Sequence, residues 1–206
     1  MTSDEMIVEF RSRLDESTGY DRLVELQQKY EMLNASILFL ANNLDADRHL
    51  QSLVSSGGAI TLPKEVNPIV LPSDYLKFHD VYESGVTAQR YNTAQMVNHR
   101  DSVIYRNPYN VPPTDMLTCA FDGKETLFVF NETRPVEITW RYIVLPATIT
   151  SAVNTDLSDR YHGLVVDYAE YLGWIQLDDT ARANAVLQSV MAQIVRLNPK
   201  QEEIKS

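Results

Sequence analysis

Apolar side chains follow a helical spacing at both ends of the chain. They recur there at alternating steps of three and four residues, which places them on one helix face. The N-terminal stripe consists of Leu23, Leu26, Tyr30, Leu33, Ile37, Leu40 and Leu44. The C-terminal stripes consist of Tyr161, Val165, Tyr168, Leu172 and Ile175, then Leu187, Val190, Ile194 and Leu197. Because an apolar stripe must be covered, we expect the helices of the two ends to pack together.

Capping residues set the expected helix boundaries. Thr2 and Glu5 have the spacing of a capping box, and they precede a short helix carrying Met6, Ile7, Phe10 and Leu14. Gly19 is a favourable stop for that helix. The residues expected to begin or end the later helices are Asp21, Asp178 or Asp179, and Asn198-Pro199. Leu50, Leu53 and Val54 favour further helical turns, which Gly57-Gly58 would end.

The middle of the chain has the pattern of strands and turns. Every proline except Pro199 lies between residues 63 and 146, and proline disfavours helix. We predict strands over 78–82 and 136–142, and a hairpin of 117–121 and 126–130 around Asp122-Gly123. The predicted fold class is therefore α+β, a helical bundle of N- and C-terminal helices with a β-rich insertion.

This organisation predicts four parts of the chain. Residues 1–58 would supply the N-terminal helices of the bundle, and residues 151–198 the C-terminal helices. The β-rich insertion would occupy residues 59–150. A charged, flexible tail would follow at 199–206.

Composition limits the possible partners. The chain has 206 residues, a formal net charge of −10 and a single cysteine. This cysteine content excludes an internal disulfide framework and fits a reducing compartment. No segment is a basic patch, so specific nucleic-acid binding is not expected. The sequence has neither an apolar run long enough for a membrane span nor an apolar signal core, and no membrane association is predicted.

The sequence predicts no catalytic residue, cofactor or metal site. Cys119 lacks a histidine at a motif spacing and is expected to be a buried small hydrophobic residue. The four histidines are scattered, without metal-ligand spacing. Asp45-Ala46-Asp47 lacks the glycine and glutamate of a calcium loop and is better interpreted as a helix cap. Gly123-Lys124 lacks the upstream glycine of a phosphate-binding loop.

Tyrosines are frequent in the central segment. Tyrosine commonly fills half-buried strand faces, but it is also enriched at contact surfaces. Besides a protein built for contact, two alternatives therefore stay open. These are a small acidic soluble enzyme and a monomeric binding module, each with a tyrosine-lined pocket.

An ordered set of segments resembles a known family. The set is Leu71-Pro72-Ser73-Asp74-Tyr75-Leu76, the Asp122-Gly123 hairpin, residues 136–146, and Tyr161-His162-Gly163-Leu164-Val165-Val166-Asp167-Tyr168-Ala169. In this order, from about Met6 to Leu197, the chain resembles the head-to-tail adaptor (connector) proteins of tailed bacteriophages. The resemblance implies a non-enzymatic virion protein at the neck, assembled in the host cytoplasm. It implies a ring, expected to be a dodecamer, that binds the portal and joins capsid to tail. DNA would pass through this ring without specific binding.

Contact residues can be suggested on this basis. The end of the last helix and the tail are expected to meet the portal, through Leu197, Asn198, Pro199, Lys200 and Ile204. The long loop at 100–113 is expected to meet a neighbouring subunit or a tail or nozzle protein, through Arg106, Asn107, Tyr109 and Val111.

Overall fold

The chain forms two compact units. A computed structural model describes residues 1–14, 26–62, 66–83, 95–98, 118–122, 126–130 and 136–198. One unit contains residues 1–53 and 145–206, and the other contains residues 54–144. The two ends of the chain thus build one body, and the middle of the chain is inserted between them.

The first unit is helical. Its α-helices are α1 (Ser3–Arg13), α2 (Leu26–Asn43), α3 (Ala46–His49), α4 (His162–Gln176) and α5 (Thr180–Leu197). Short 3-10 turns lie at Gln51–Leu53 and Asp159–Tyr161. No helix in the described part of the chain is long and apolar enough to cross a membrane.

Helix α4 is the centre of the helical unit. Helices α1, α2 and α5 all pack against it, and none of its positions from Leu164 to Trp174 is exposed. Phe10 of α1, Leu33 of α2 and Val165 of α4 are completely buried. The bundle predicted from the apolar stripes is therefore confirmed.

The helix caps follow the predicted pattern in most places. The Thr2 hydroxyl accepts a hydrogen bond from the Glu5 amide, and the Glu5 carboxylate accepts one from the Thr2 amide. Asp179 caps α5 by accepting from the Arg182 amide. Gly19 and Asp21 lie outside the described residues. The expected further helical turns are confirmed as far as Leu53, where a 3-10 turn ends. Their continuation through Val54 to Gly57-Gly58 is wrong, because a β-strand begins at Val54.

The second unit is built from two sheets. Its strands are β1 (Val54–Leu62), β2 (Val66–Val70), β3 (Tyr75–Glu83), β4 (Gln95–Met96), β5 (Thr118–Asp122), β6 (Thr126–Phe130) and β7 (Val136–Val144). One sheet has the order β1-β7-β3 and is antiparallel. The other has the order β2-β6-β5-β4, with β4 parallel to β5. The predicted strands and the antiparallel pairing of β5 with β6 are confirmed.

Both sheets contribute to the core of this unit. Its buried members are Ile69, Val81, Cys119, Ile138, Trp140 and Tyr142. Strands β1 and β2 were not predicted, because glycines and a proline interrupt their apolar pattern. Pro68 lies on β2, which is an edge strand, so its missing N–H leaves no gap in the interior of the sheet.

The β unit depends on a glycine beneath a tryptophan. A Cβ atom added at Gly57 would lie 1.8 Å from Cε2 of Trp140, so the indole occupies the place of a side chain. We expect Gly57→Ala to lower the free energy of unfolding by about 1–3 kcal/mol through overpacking. Gly163→Ala is the matched control, since nothing lies within 4 Å of its added Cβ. Urea unfolding of both variants checks this, and equal stabilities would contradict it.

A second prediction concerns acid stability. Burial alone would raise the pKa of Asp80, but hydrogen bonds and the charge of Arg141 outweigh burial and lower it. The Arg141 guanidinium donates through Nε at 2.8 Å and through a second nitrogen. A carboxylate whose pKa is lower in the folded state stabilises the fold at pH values above its unfolded-state pKa. This stabilisation is lost as the pH falls through the folded-state pKa. In Asp80→Asn, the free energy of unfolding should therefore fall less steeply below about pH 4 than in the wild type. Glu137→Gln, at an exposed position, should keep the wild-type fall, and urea unfolding at a series of pH values measures both.

Candidate docking site at the end of the last helix

The C-terminal end of α5 is attached to the corner between α2 and α3. The Asn198 side chain donates from Nδ2 to the Asn43 carbonyl at 2.6 Å. Its Oδ1 accepts from the Asp45 amide at 2.9 Å. Asp45 in turn caps α3 by accepting from the Arg48 amide. One amide side chain thus joins the ends of three helices.

His49 provides a second attachment at the same end. Its Nε2 lies 2.7 Å from the carbonyl oxygen of Leu197, and its Nδ1 lies 2.6 Å from the Tyr161 hydroxyl. A carbonyl can only accept, so Nε2 carries the proton and donates. Nδ1 then accepts from Tyr161, whose pKa is raised by burial and partly lowered again by Arg160. The imidazole therefore connects α3, the 3-10 turn that precedes α4, and the last turn of α5.

A groove of about 490 Å³ lies beside this anchored end. It is lined by Arg13, Arg160, Tyr161, Gly163, Leu164, Asp167, Gln193, Arg196 and Leu197. Residues from α1, α4 and α5 therefore meet at one surface, although they are far apart in the sequence.

Arg13 forms the fixed wall of the groove. Its guanidinium is paired with Asp167, contacts Glu9 at 2.6 Å and lies 3.4 Å from Glu170. Burial would lower the pKa of Arg13, but the hydrogen bonds to Asp167 and Glu9 raise it above its ordinary value. Gln193 of α5 also donates to Asp167. This network joins α1 and α5 to α4. The positive charge of Arg13 is balanced by carboxylates of the same unit.

Two further arginines lie at the edge of the groove. Arg160 and Arg196 are both exposed. Arg160 packs over the ring of Tyr161 and donates to the Arg48 carbonyl. Within the described part of the chain, no carboxylate lies within 4 Å of Arg160 or Arg196. The edge of the groove therefore carries positive charge on a chain whose net charge is −10.

The structure locates only part of the predicted contact residues. Leu197 and Asn198 are half-buried beside the groove, and both bond within their own chain. The other suggested portal contacts, Pro199, Lys200 and Ile204, lie outside the described residues. The same holds for the suggested neighbour or tail contacts, which are Arg106, Asn107, Tyr109 and Val111.

The structure describes several residues that the sequence offered as candidates for chemistry. Cys119 is buried, and burial raises the pKa of its thiol to about 12, which keeps it protonated at neutral pH. Asp45 is a helix cap, as predicted. Among the described residues, no group of three or more His, Cys, Asp or Glu could hold a metal ion. His162 donates from Nε2 to the Leu157 carbonyl at 3.0 Å, which is a contact inside the fold.

The described tyrosines of the central segment fill the β unit. Tyr75 is half-buried against Phe121 and Tyr142, and burial raises its pKa to about 12. The Tyr142 hydroxyl donates to Asp74 at 3.2 Å. A separate open groove in the helical unit is lined by Leu26, Gln27, Tyr30, Asn34, Thr148, Ile149, Thr150 and Ser151. Its one tyrosine, Tyr30, donates to Asp4.

The contacts of His49, Arg13 and Arg160 were not predicted from the sequence. The histidines were considered only as metal ligands, and no local spacing relates His49 to Tyr161 or Leu197. Arg13 and Asp167 are likewise separated by 154 residues. The available signal was the resemblance segment at residues 161–169, which contains both Tyr161 and Asp167.

Comparison with known families gives one match across the chain. A family model described as SU10 adaptor protein matches residues 1–203. The match includes both parts of the helical unit and the whole inserted β unit. A comparison with curated proteins found no match.

The anchor at Asn198 can be tested directly. Asn198→Asp keeps the acceptor for the Asp45 amide but places a carboxylate oxygen against the Asn43 carbonyl. We expect a loss of about 1–2 kcal/mol of unfolding free energy and faster hydrogen exchange in the last turn of α5. Asn42→Ala is the control, because Asn42 is exposed and bonds only within its own helix. Unchanged exchange in Asn198→Asp would show that another contact holds this end.

Proposed function

The chain belongs to the SU10 adaptor protein family, a family of bacteriophage structural adaptors, and we propose that it is the head-to-tail adaptor of its virion. In this function, identical copies form a ring under the portal and join the capsid to the tail. A dodecamer is the expected ring, by resemblance to other phage adaptors. The ring surrounds the channel through which DNA leaves the capsid, and a tail or nozzle protein binds on its other side.

The anchored end of α5 is the observation that carries this proposal. Asn198 and His49 hold the last turn against three other helices. The residues from Pro199 onward therefore start from a rigid base. A short segment on a rigid base can bind a partner with less loss of conformational entropy than one leaving a loose helix end. We assign this segment to the portal.

The groove beside this base provides a second element of recognition. Arg160 and Arg196 are exposed at its edge, while Arg13 is already neutralised by its own carboxylate partners. Exposed guanidinium groups pair well with carboxylates, often through two parallel hydrogen bonds. An acidic segment of the portal would fit this groove.

The charge of the chain suits a DNA channel. Its net charge of −10 repels a phosphate backbone. A lining that attracted DNA would slow its passage, so an acidic ring favours transit without specific binding. The exposed arginines of the groove would attract DNA if they lined the channel. A protein partner that covers the groove keeps them away from the DNA.

The attachment through the tail predicts a separable defect. Deleting residues 199–206 should leave the unfolding transition unchanged and weaken binding to the portal of the same virus by at least tenfold, about 1.4 kcal/mol. Surface plasmon resonance on immobilised portal rings measures the binding. A variant with residues 199–206 in scrambled order is the control for charge alone. Full binding by the truncated chain would move the attachment point to the groove or another surface of the bundle.

A further inference from the structure

The outward face of α5 is uncharged and carries small side chains. Its central positions follow steps of four and three residues and are all exposed: Ala181, Ala185, Gln188, Ala192 and Val195. No charged residue occurs between Arg182 and Arg196. Val195 is 67% exposed, and the neighbouring Met191 is 41% exposed. We call this surface the α5 outer face. Alanines at its centre would let another helix approach closely.

A second uncharged surface is formed by α2 and α4. Leu38 of α2 is 41% exposed, and Ile175 of α4 is 47% exposed. On the same two helices, the Phe39 ring stacks on Tyr168 at 3.9 Å, and Tyr168 lies 5.2 Å from Tyr171. These three rings are half-buried, so part of each reaches the surface. We call this surface the aromatic surface. Aromatic residues are enriched in protein interfaces and often contribute most of their binding energy.

We propose that the α5 outer face of one copy packs on the aromatic surface of the next copy in the ring. This inference rests on the proposed function, because it requires that copies assemble side by side. It adds which two surfaces of each copy meet.

Shape supports this pairing. Helices whose contact positions are alanines can bring their axes to roughly 8 Å. The projecting side chains of the aromatic surface then fill the space beside the alanines of the α5 outer face. Two alanine-rich faces would leave space unfilled, and two aromatic surfaces would crowd each other. Small against large is therefore the better-packed combination.

Charge supports it as well. Copies that each carry a net charge of −10 repel one another, so close contact favours surfaces without acidic groups. On α2 no charged residue occurs between Glu31 and Asp45. Exposed Arg196 lies at one end of the α5 outer face, and Arg182 at the other end is already paired with Asp179 at 3.3 Å. Exposed Glu31 of α2 and exposed Asp47 of α3 precede and follow the α2 part of the aromatic surface in the sequence. Arg196 therefore meets an acidic residue of the next copy whichever way the two helices run.

The pairing also explains why assembly would form a ring. A contact between two different surfaces is heterologous, and each copy then keeps one surface of each kind for its two neighbours. A contact of one surface with itself would stop at a dimer.

The test uses one blocking substitution on each surface. Ala192→Arg blocks the α5 outer face, and Leu38→Arg blocks the aromatic surface. Both positions are exposed, so the fold should tolerate the change. Ser12→Arg, at an exposed position of α1, is the matched control. Native mass spectrometry measures assembly of the full chain in the presence of portal rings of the same virus. Wild type and Ser12→Arg should form the same ring, and each blocked variant alone should lose at least tenfold in ring yield.

The decisive measurement mixes the two blocked variants without portal at high concentration. Each variant keeps the surface that the other lacks, so one mixed dimer of Ala192→Arg with Leu38→Arg is expected, with no larger species. Rings of normal yield from either variant overturn the pairing but leave the adaptor function intact. Absence of the mixed dimer, while wild type self-associates under the same conditions, also overturns it. Failure of wild type to assemble or bind with portal present overturns the proposed function, and the pairing with it.

Discussion

The need to cover α4 on most of its sides governs the helical unit. Its sequence has apolar or small residues around most of its circumference, and no position from Leu164 to Trp174 is exposed. A helix of this kind is stable only when neighbours cover it. The cover comes from helices that precede the β insertion as well as from α5. The two ends of the chain must therefore meet. The inserted unit starts with β1 and finishes with β7, and these two strands pair with each other.

Polar groups around α4 then fix the order of its neighbours. Asp167 pairs with Arg13 of α1 and accepts from Gln193 of α5. Tyr161, just before α4, bonds to His49, the last residue of α3. Each of these contacts joins parts of the chain that are distant in sequence, and a displaced helix would leave a charged or polar group without its partner. Burial thus brings the helices together, and these contacts select one arrangement.

Periodicity predicted the long helices well because their apolar residues are regular and their caps are local. The capping box at Thr2 and the cap at Asp179 are interactions within three residues. The strands β1 and β2 could not be predicted in this way. Gly57 looks like a helix stop in the sequence, but it makes room for the indole of Trp140, a residue of another strand. The role of His49 was equally hidden, since its partners Tyr161 and Leu197 lie more than a hundred residues away.

The distribution of charge links the fold to assembly. A chain with a net charge of −10 would be expected to present acidic groups on most of its surface. Yet α2 and α5 each have a long uncharged stretch, and the groove beside the end of α5 has exposed arginines. Solubility alone does not favour uncharged faces, since charged residues would serve it better there. Contact with other proteins does favour them, because uncharged surfaces lose less hydration when they are buried. In this adaptor, the surfaces that escape the general acidity are therefore those where protein partners are best accommodated, and the remaining acidic surface suits contact with solvent.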